Sequence, residues 1–280
     1  MRRLMTSAAM NATTTTEPNY WVLENENWDL FVNDDDLYSN LVDISRTRAP
    51  CKQAGILKDI ELQAPIQGQE IWACGVTYNN SKLARQAESK EAGGGTFYAR
   101  VYRADRPEIF FKATAARTAG PNGTVRIRAD SDWNVPEPEL TLMLTSSGKI
   151  VGHTIGNDVS SRSIESENPL YLPQAKTYDR SASIGPGIYV PEKPLGMQTR
   201  ISMQINREGE EVFQGNTTLS EMKRTPEELV AWLFRECNFP HGCLLMTGTG
   251  IVPFPEFTLH SGDEIRITID HVGTLINLVE

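Results

Sequence analysis

Residues 133–162 read WNVPEPELTLMLTSSGKIVGHTIGNDVSSR, and this stretch decides the fold. Leu140, Leu142 and Leu144 alternate as the buried side of a strand does, because side chains two residues apart point the same way. Ser146-Ser147-Gly148-Lys149 supplies turn chemistry, and a second run of strand formers leads to Gly156-Asn157-Asp158. A β-hairpin is expected. With Ser147 and Gly148 as a two-residue loop, Glu139 faces Gly156 and Glu137 faces Asp158. Glu137, Glu139 and Asp158 then converge on one face, whereas a slip of one residue would turn Asp158 to the other.

Like charges held this close repel: at an effective dielectric of 20, a pair ~4 Å apart costs about 4 kcal/mol. A cation therefore belongs there. Oxygen donors with no converging His or Cys select a hard divalent ion, and Mg²⁺ with retained water fits three carboxylates better than an enclosed Ca²⁺ cage; Mn²⁺ accepts the same oxygens. Pro136 and Pro138 stiffen the strand and mark an edge position that a ligand can approach. The plainer alternative on these residues alone is a solvated acidic rim.

Outward from the hairpin, Ile201, Met203 and Ile205, then Ile265, Ile267 and Ile269, repeat the alternation of half-buried strands. Ile71 to Val76, after Pro65 and Gly68, reads as a buried strand. Ser81 to Lys90 is rich in helix formers and ends in a loop at Gly93-Gly94-Gly95. Thr225-Pro226-Glu227-Glu228 announces a helix with a cap, a first-turn proline and early acids, followed by Leu229, Leu233 and Cys237 on one face. Strands without regularly interposed helices predict an α+β fold built on a mixed β-roll rather than a doubly wound parallel sheet. The expected plan is a disordered tail over 1–16, a small N-terminal domain over 17–65 and a catalytic domain over 66–280.

The chain has 280 residues, with 27 Lys and Arg against 36 Asp and Glu, a net charge of −9 that excludes nucleic-acid binding by a basic surface. No segment approaches the ~20 apolar residues of a membrane span. Cys51, Cys74, Cys237 and Cys243 are spaced for neither a zinc cluster nor a disulfide framework, so a reducing cytoplasm is expected. Met1 to Thr16 is basic and acid-free but lacks an apolar core; an organelle-targeting remnant is the alternative to a plain tail.

Glu137-Pro138-Glu139-Leu140, the GNDVSSR of 156–162 and the LPQAK of 172–176 resemble the fumarylacetoacetate hydrolase superfamily, over about Ile71 to Glu280. YRADRPEIFFKAT (102–114), ESENPLYLPQAK (165–176) and TGTGIVP (247–253) are similar to its branch of 2-keto-3-deoxy-arabinonate and -xylonate dehydratases. The resemblance implies that Glu137, Glu139 and Asp158 ligate the metal and that Lys176 is the active-site lysine. It also implies that Glu108 is a branch-specific acid and that Thr249 contacts a bound 2-oxoacid, with Tyr78 and Ser81 also on the substrate side. Arg162, four residues after Asp158, then holds the ligand carboxylates from behind. A homodimer or homotetramer is implied as well.

One departure bears on reaction type. The hydrolases of this superfamily carry Gly-x-x-Tyr-x-x-His, with the His activating water; this chain has Gly75, Tyr78 and Ser81. Hydrolysis loses its general base, while a metal-assisted elimination needs no activated water. The resemblance thus implies dehydration of a 2-keto-3-deoxypentonate to 2,5-dioxopentanoate. Lys176 and Glu108 share the roles of base at C3 and acid at the C4 hydroxyl, in either order. A hydrolase or decarboxylase of another 2,4-dioxo acid and a non-catalytic oxoacid-binding protein are the alternatives. Lys112 reads as a structural charge at a strand end, and His153, His241, His260 and His271, which lie apart, read as structural.

Overall fold

The computed structural model describes residues 2–7, 19–24, 27–51, 62–81 and 95–280. In chain order the elements begin with β1 (Arg2–Ser7), β2 (Asn19–Glu24), α1 (Trp28–Val32), α2 (Leu37–Thr47), β3 (Glu70–Gly75), α3 (Gly95–Arg103) and β4 (Glu108–Thr114). The short strands β5 (Thr118–Ala119), β6 (Thr124–Val125) and β7 (Asn134–Val135) precede the hairpin β8 (Pro138–Leu144) and β9 (Ile150–Asp158). Then come β10 (Ser160–Ser161), α4 (Arg162–Glu167), α5 (Leu172–Lys176), β11 (Ala182–Tyr189), β12 (Arg200–Arg207) and β13 (Glu210–Thr218). The chain closes with α6 (Pro226–Leu233), β14 (Cys243–Met246), β15 (Glu264–Ile269) and β16 (Gly273–Val279).

Among the described residues, seven strands form a mixed sheet in the order β4-β3-β14-β8-β9-β11-β5, and five form a second, β13-β12-β15-β16-β6. β14 runs parallel to β3 and antiparallel to β8, so the expected mixed α+β roll is what the chain adopts. One face of the larger sheet, through Leu140, Leu142, Leu144, Ile155 and Leu245, packs on Ile201, Met203, Ile205, Ile265, Ile267 and Ile269 of the smaller. Its other face, through Ile71, Ala73, Met143, Leu244 and Met246, is covered by Val32 of α1 and Leu37 of α2. The N-terminal helices therefore pack on the main sheet, and the Asp35 carboxylate accepts from the Thr145 and Ser147 hydroxyls at the hairpin tip.

Two-sided coverage corrects the reading of β8. Every residue from Pro138 to Leu144 is buried, and the strand lies between β14 and β9 rather than at an edge. Pro138 is tolerated because it opens the strand. β12 and β15 do alternate, one face in and one face out, as expected.

The hairpin pairs as expected for a reason the sequence reading did not contain. Pro138 pairs with Asn157 and Glu139 with Gly156, and the Asp158 N–H donates to the Glu137 carbonyl at 2.9 Å. The loop is nevertheless longer than two residues: the Thr145 N–H donates to the Lys149 carbonyl, and Gly148 takes a φ of 83°. A bulge between Met143 and Leu144 absorbs the extra residue and restores the register toward the carboxylates.

The expected tail is corrected in part. Arg2–Ser7 forms a strand that pairs antiparallel with Asn19–Glu24, while 8–16 lies outside the described residues. Most of the expected helix over 81–90, with Gly93 and Gly94, lies outside them too, and Gly95 begins α3. The helix announced at Thr225 is present as α6: the Thr225 hydroxyl accepts from the Glu228 N–H at 3.2 Å, and Leu229 and Leu233 are buried.

His153 lies inside the sheet, opposite Leu142 and Tyr189, and burial pushes its imidazole down to about 4. The unfolded chain then binds the extra proton first, so stability held above pH ~6.5 drains as pH falls toward about 4. Urea unfolding followed across that window is expected to show His153→Gln losing up to about 3 kcal/mol less than the parent at the acid end; parallel losses in both proteins would remove His153 as the cause.

Candidate metal centre

Glu137 lies just before β8, Glu139 is its second residue and Asp158 ends β9, so the hairpin register brings three carboxylates to one place. All three are buried, and each offers an oxygen within 4.8 Å of the others. Burial pushes the Glu139 carboxyl well above the usual carboxylate range, and the charges of Asp158 and Glu137 push it the same way. The Gly248 N–H opposes this by donating to Glu139 Oε2 at 2.5 Å. Gly248 stands at a φ of 93°, and a Cβ there would come within 2.0 Å of Thr77 Oγ1, so the backbone can reach the carboxylate only as glycine.

Cations stand around the triad. Lys176, the last residue of α5, is buried, and its ammonium donates to Glu137 Oε2 at 2.6 Å, Asp158 Oδ2 at 2.9 Å and Ser160 Oγ at 2.6 Å. Arg162 opens α4, whose cap is the Ser161 hydroxyl, and places Nη1 3.0 Å from Glu137 Oε1 and 3.9 Å from Glu165 Oε2. Lys112 is fully buried, with Nζ 2.6 Å from Asp158 Oδ1. That places it in the centre and not at a strand end as a structural charge. It is the extra residue of a bulge in β4, since Ile71 pairs with Ala113 and Trp72 with Phe111. The bulge re-aims it toward Asp158.

A narrow cleft opens beside the triad. Its lining includes Glu108, Glu137, Glu165, Lys176, Arg162, Ser81 and Thr249. Glu108 pairs directly with Gly75 across β4 and β3, and its carboxylate lies where a side chain at 75 would be: a Cβ there would sit 2.2 Å from Glu108 Oε2. The Ser81 hydroxyl donates to the Tyr78 carbonyl at 2.8 Å. The Thr249 hydroxyl is engaged in its own turn with Ile251.

Six of the nine residues singled out from the sequence line this one cleft, and Glu139 and Asp158 stand beside it with Glu137 in the triad. Tyr78 does not line it: the ring is buried beside the Gly250 backbone, and burial raises its phenol above the usual value. Lys112, Ser160 and Glu165 were missed. Lys112 carried a legible signal, a lysine inside the apolar run Ile109-Phe110-Phe111-Lys112-Ala113, because a charge in such a run needs a buried partner.

The residues fit a divalent cation. The triad is buried and offers oxygen donors alone, the set that selects a hard ion.

The chain is similar to known proteins over most of its length. The chain is 49% identical over 222 residues to a Haloferax volcanii protein named probable 2-keto-3-deoxyxylonate dehydratase, covering 79% of this chain and 75% of that one. It is 42% identical over 231 residues to the 2-dehydro-3-deoxy-D-arabinonate dehydratase of Saccharolobus solfataricus, covering 80% and 76%. A solved structure of 2-keto-3-deoxy-D-arabinonate dehydratase, complexed with magnesium and 2,5-dioxopentanoate, superposes with a TM-score of 0.75 at 33% identity, over 100% of this chain and 99% of that one. Residues 71–280 match the fumarylacetoacetate hydrolase C-terminal domain, and the chain therefore belongs to the fumarylacetoacetate hydrolase family.

Proposed function

We propose that the protein is a magnesium-dependent hydro-lyase that converts a 2-keto-3-deoxypentonate to 2,5-dioxopentanoate. The observation that carries this is the buried triad Glu137, Glu139 and Asp158 opening on a cleft that holds Lys176 and Glu108. The two dehydratase relatives, and the magnesium and 2,5-dioxopentanoate complex of a third, support the same reading. Among the described residues, the cleft lining includes no histidine, and Ser81 stands where the hydrolases place theirs.

The triad would hold the ion, which when bound supplies a Lewis acid for the carboxylate and C2 carbonyl of the oxoacid. Lys176 lies against two of the three carboxylates, so its amine is the group closest to the chelated end and takes the proton from C3. Glu108, packed over Gly75, is left for the C4 hydroxyl: it gives a proton to the departing oxygen, and water leaves. Proton return at C3 and loss at C5 give an enol, whose tautomerisation yields the C5 aldehyde. Arg162 keeps Glu137 oriented, and Thr249 and Ser81 shape the wall that receives the substrate.

The four free cysteines among the described residues are consistent with a reducing cytoplasm, and a homodimer or homotetramer is the assembly we assign. No helix among the described residues is long and apolar enough to cross a membrane.

Purified protein given Mg²⁺ and racemic 2-keto-3-deoxypentonate is expected to release a semialdehyde, seen by carbonyl trapping; cleavage of acetylpyruvate without semialdehyde would assign a hydrolase instead. Tight oxoacid binding with no product at any pH would assign a non-catalytic binding protein. Glu139→Gln is expected to lower kcat/KM at least about a thousandfold with the fold retained by circular dichroism, because it removes a ligand and the site's Lewis acid with it. Chelator should abolish activity in the parent, and added Mg²⁺ should restore it.

A further inference from the structure

One oxygen of each triad carboxylate is already engaged by a fixed donor: Asp158 Oδ1 by Lys112 Nζ at 2.6 Å, Glu137 Oε1 by Arg162 Nη1 at 3.0 Å and Glu139 Oε2 by the Gly248 N–H at 2.5 Å. The opposite oxygens of Glu137 and Asp158 meet at the Lys176 ammonium. Lys112 is the most constrained of these donors. Its Nζ also donates to the Val159 carbonyl at 3.0 Å and to the Lys176 carbonyl, so all three of its N–H bonds are used, and the side chain is sealed from solvent. Lys112, unlike Lys176, does not line the cleft, so it is a positioning residue and not a base.

We propose that Lys112 restricts Asp158 to one-oxygen ligation and thereby sets the preference of the centre for a small octahedral cation over Ca²⁺. The inference rests on the metal reading given above. Mg²⁺ and Mn²⁺ take single oxygens in a near-octahedral shell, whereas Ca²⁺ gains by drawing both oxygens of a carboxylate into a shell of six to eight. Asp158 could give its second oxygen only by breaking a charge-assisted bond to a buried ammonium. Lys112 also holds the backbone of Lys176, so the acid that would ligate and the lysine that would take the proton share one anchor.

The test is calorimetric titration of the metal-free protein with MgCl₂, MnCl₂ and CaCl₂, comparing the parent with Lys112→Met, which keeps the stem and deletes the donor. Removal of a positive charge strengthens binding of every cation, so the readout is the ratio of the Ca²⁺ and Mg²⁺ dissociation constants. A parent that prefers Mg²⁺, with the ratio reduced at least about tenfold in the variant, supports the proposal; a ratio that stays within about twofold overturns it. Should Lys112→Met fail to fold, crystals of the parent soaked in CaCl₂ decide the matter. Asp158 ligating through Oδ2 alone, with Lys112 still on Oδ1, supports the clamp, and bidentate Asp158 overturns it. A parent that binds none of the three cations would overturn the metal reading itself, which distinguishes that failure from a failure of the clamp.

Discussion

Three carboxylates crowded into a dry place repel one another, and that repulsion is the constraint around which the rest of the chain is arranged. Glu137, Glu139 and Asp158 cannot all be ionised within 4.8 Å of one another unless positive charge is built in beside them. Lys176, Arg162 and Lys112 supply it, each buried and each brought by a different element. Oxygen donors alone, gathered in a dry place, are what suit it to a hard divalent ion.

The sheets exist, in this view, to hold that arrangement rigid. Burying β8 on both faces removes water from Glu139, whose carboxylate accepts from the Gly248 N–H just past β14. The smaller sheet packs the leucine side, the N-terminal helices cover the far end of the other side, and the carboxylates take the end left over. The strands bulge twice, once at Lys112, which is thereby turned toward Asp158, and once at Val151 of β9, opposite Met143 and Leu144.

Legibility followed distance along the chain. The pairing of Glu137 with Glu139 needs only a period of two, and the meeting with Asp158 needs only one turn, so both could be read from a thirty-residue stretch. Two-sided burial of β8 depends on β14, about a hundred residues further on, and alternating leucines alone could not report it because Thr141 and Met143 on the other side look half polar. The apolar run around Lys112 signals a buried charge but not the bulge that aims it at Asp158, and Tyr78 was drawn into the cleft by its place in a motif although the fold turns its ring toward Gly250. Residues such as Lys176 and Glu108 came from resemblance; no spacing rule could have brought them to one cleft.

The compensation between the hairpin tip and its bulge ties a surface loop to the buried acids. Insertion at Ser146–Gly148 and the bulge opposite Met143 are a matched pair: either change alone would slide one strand past its neighbour by a single step and turn the Asp158 carboxyl through the sheet to its greasy side. Surface loops are ordinarily free to lengthen or shrink, but this one is geared to the far end of its own strands, so in this chain its length and the placing of the carboxylates are one constraint.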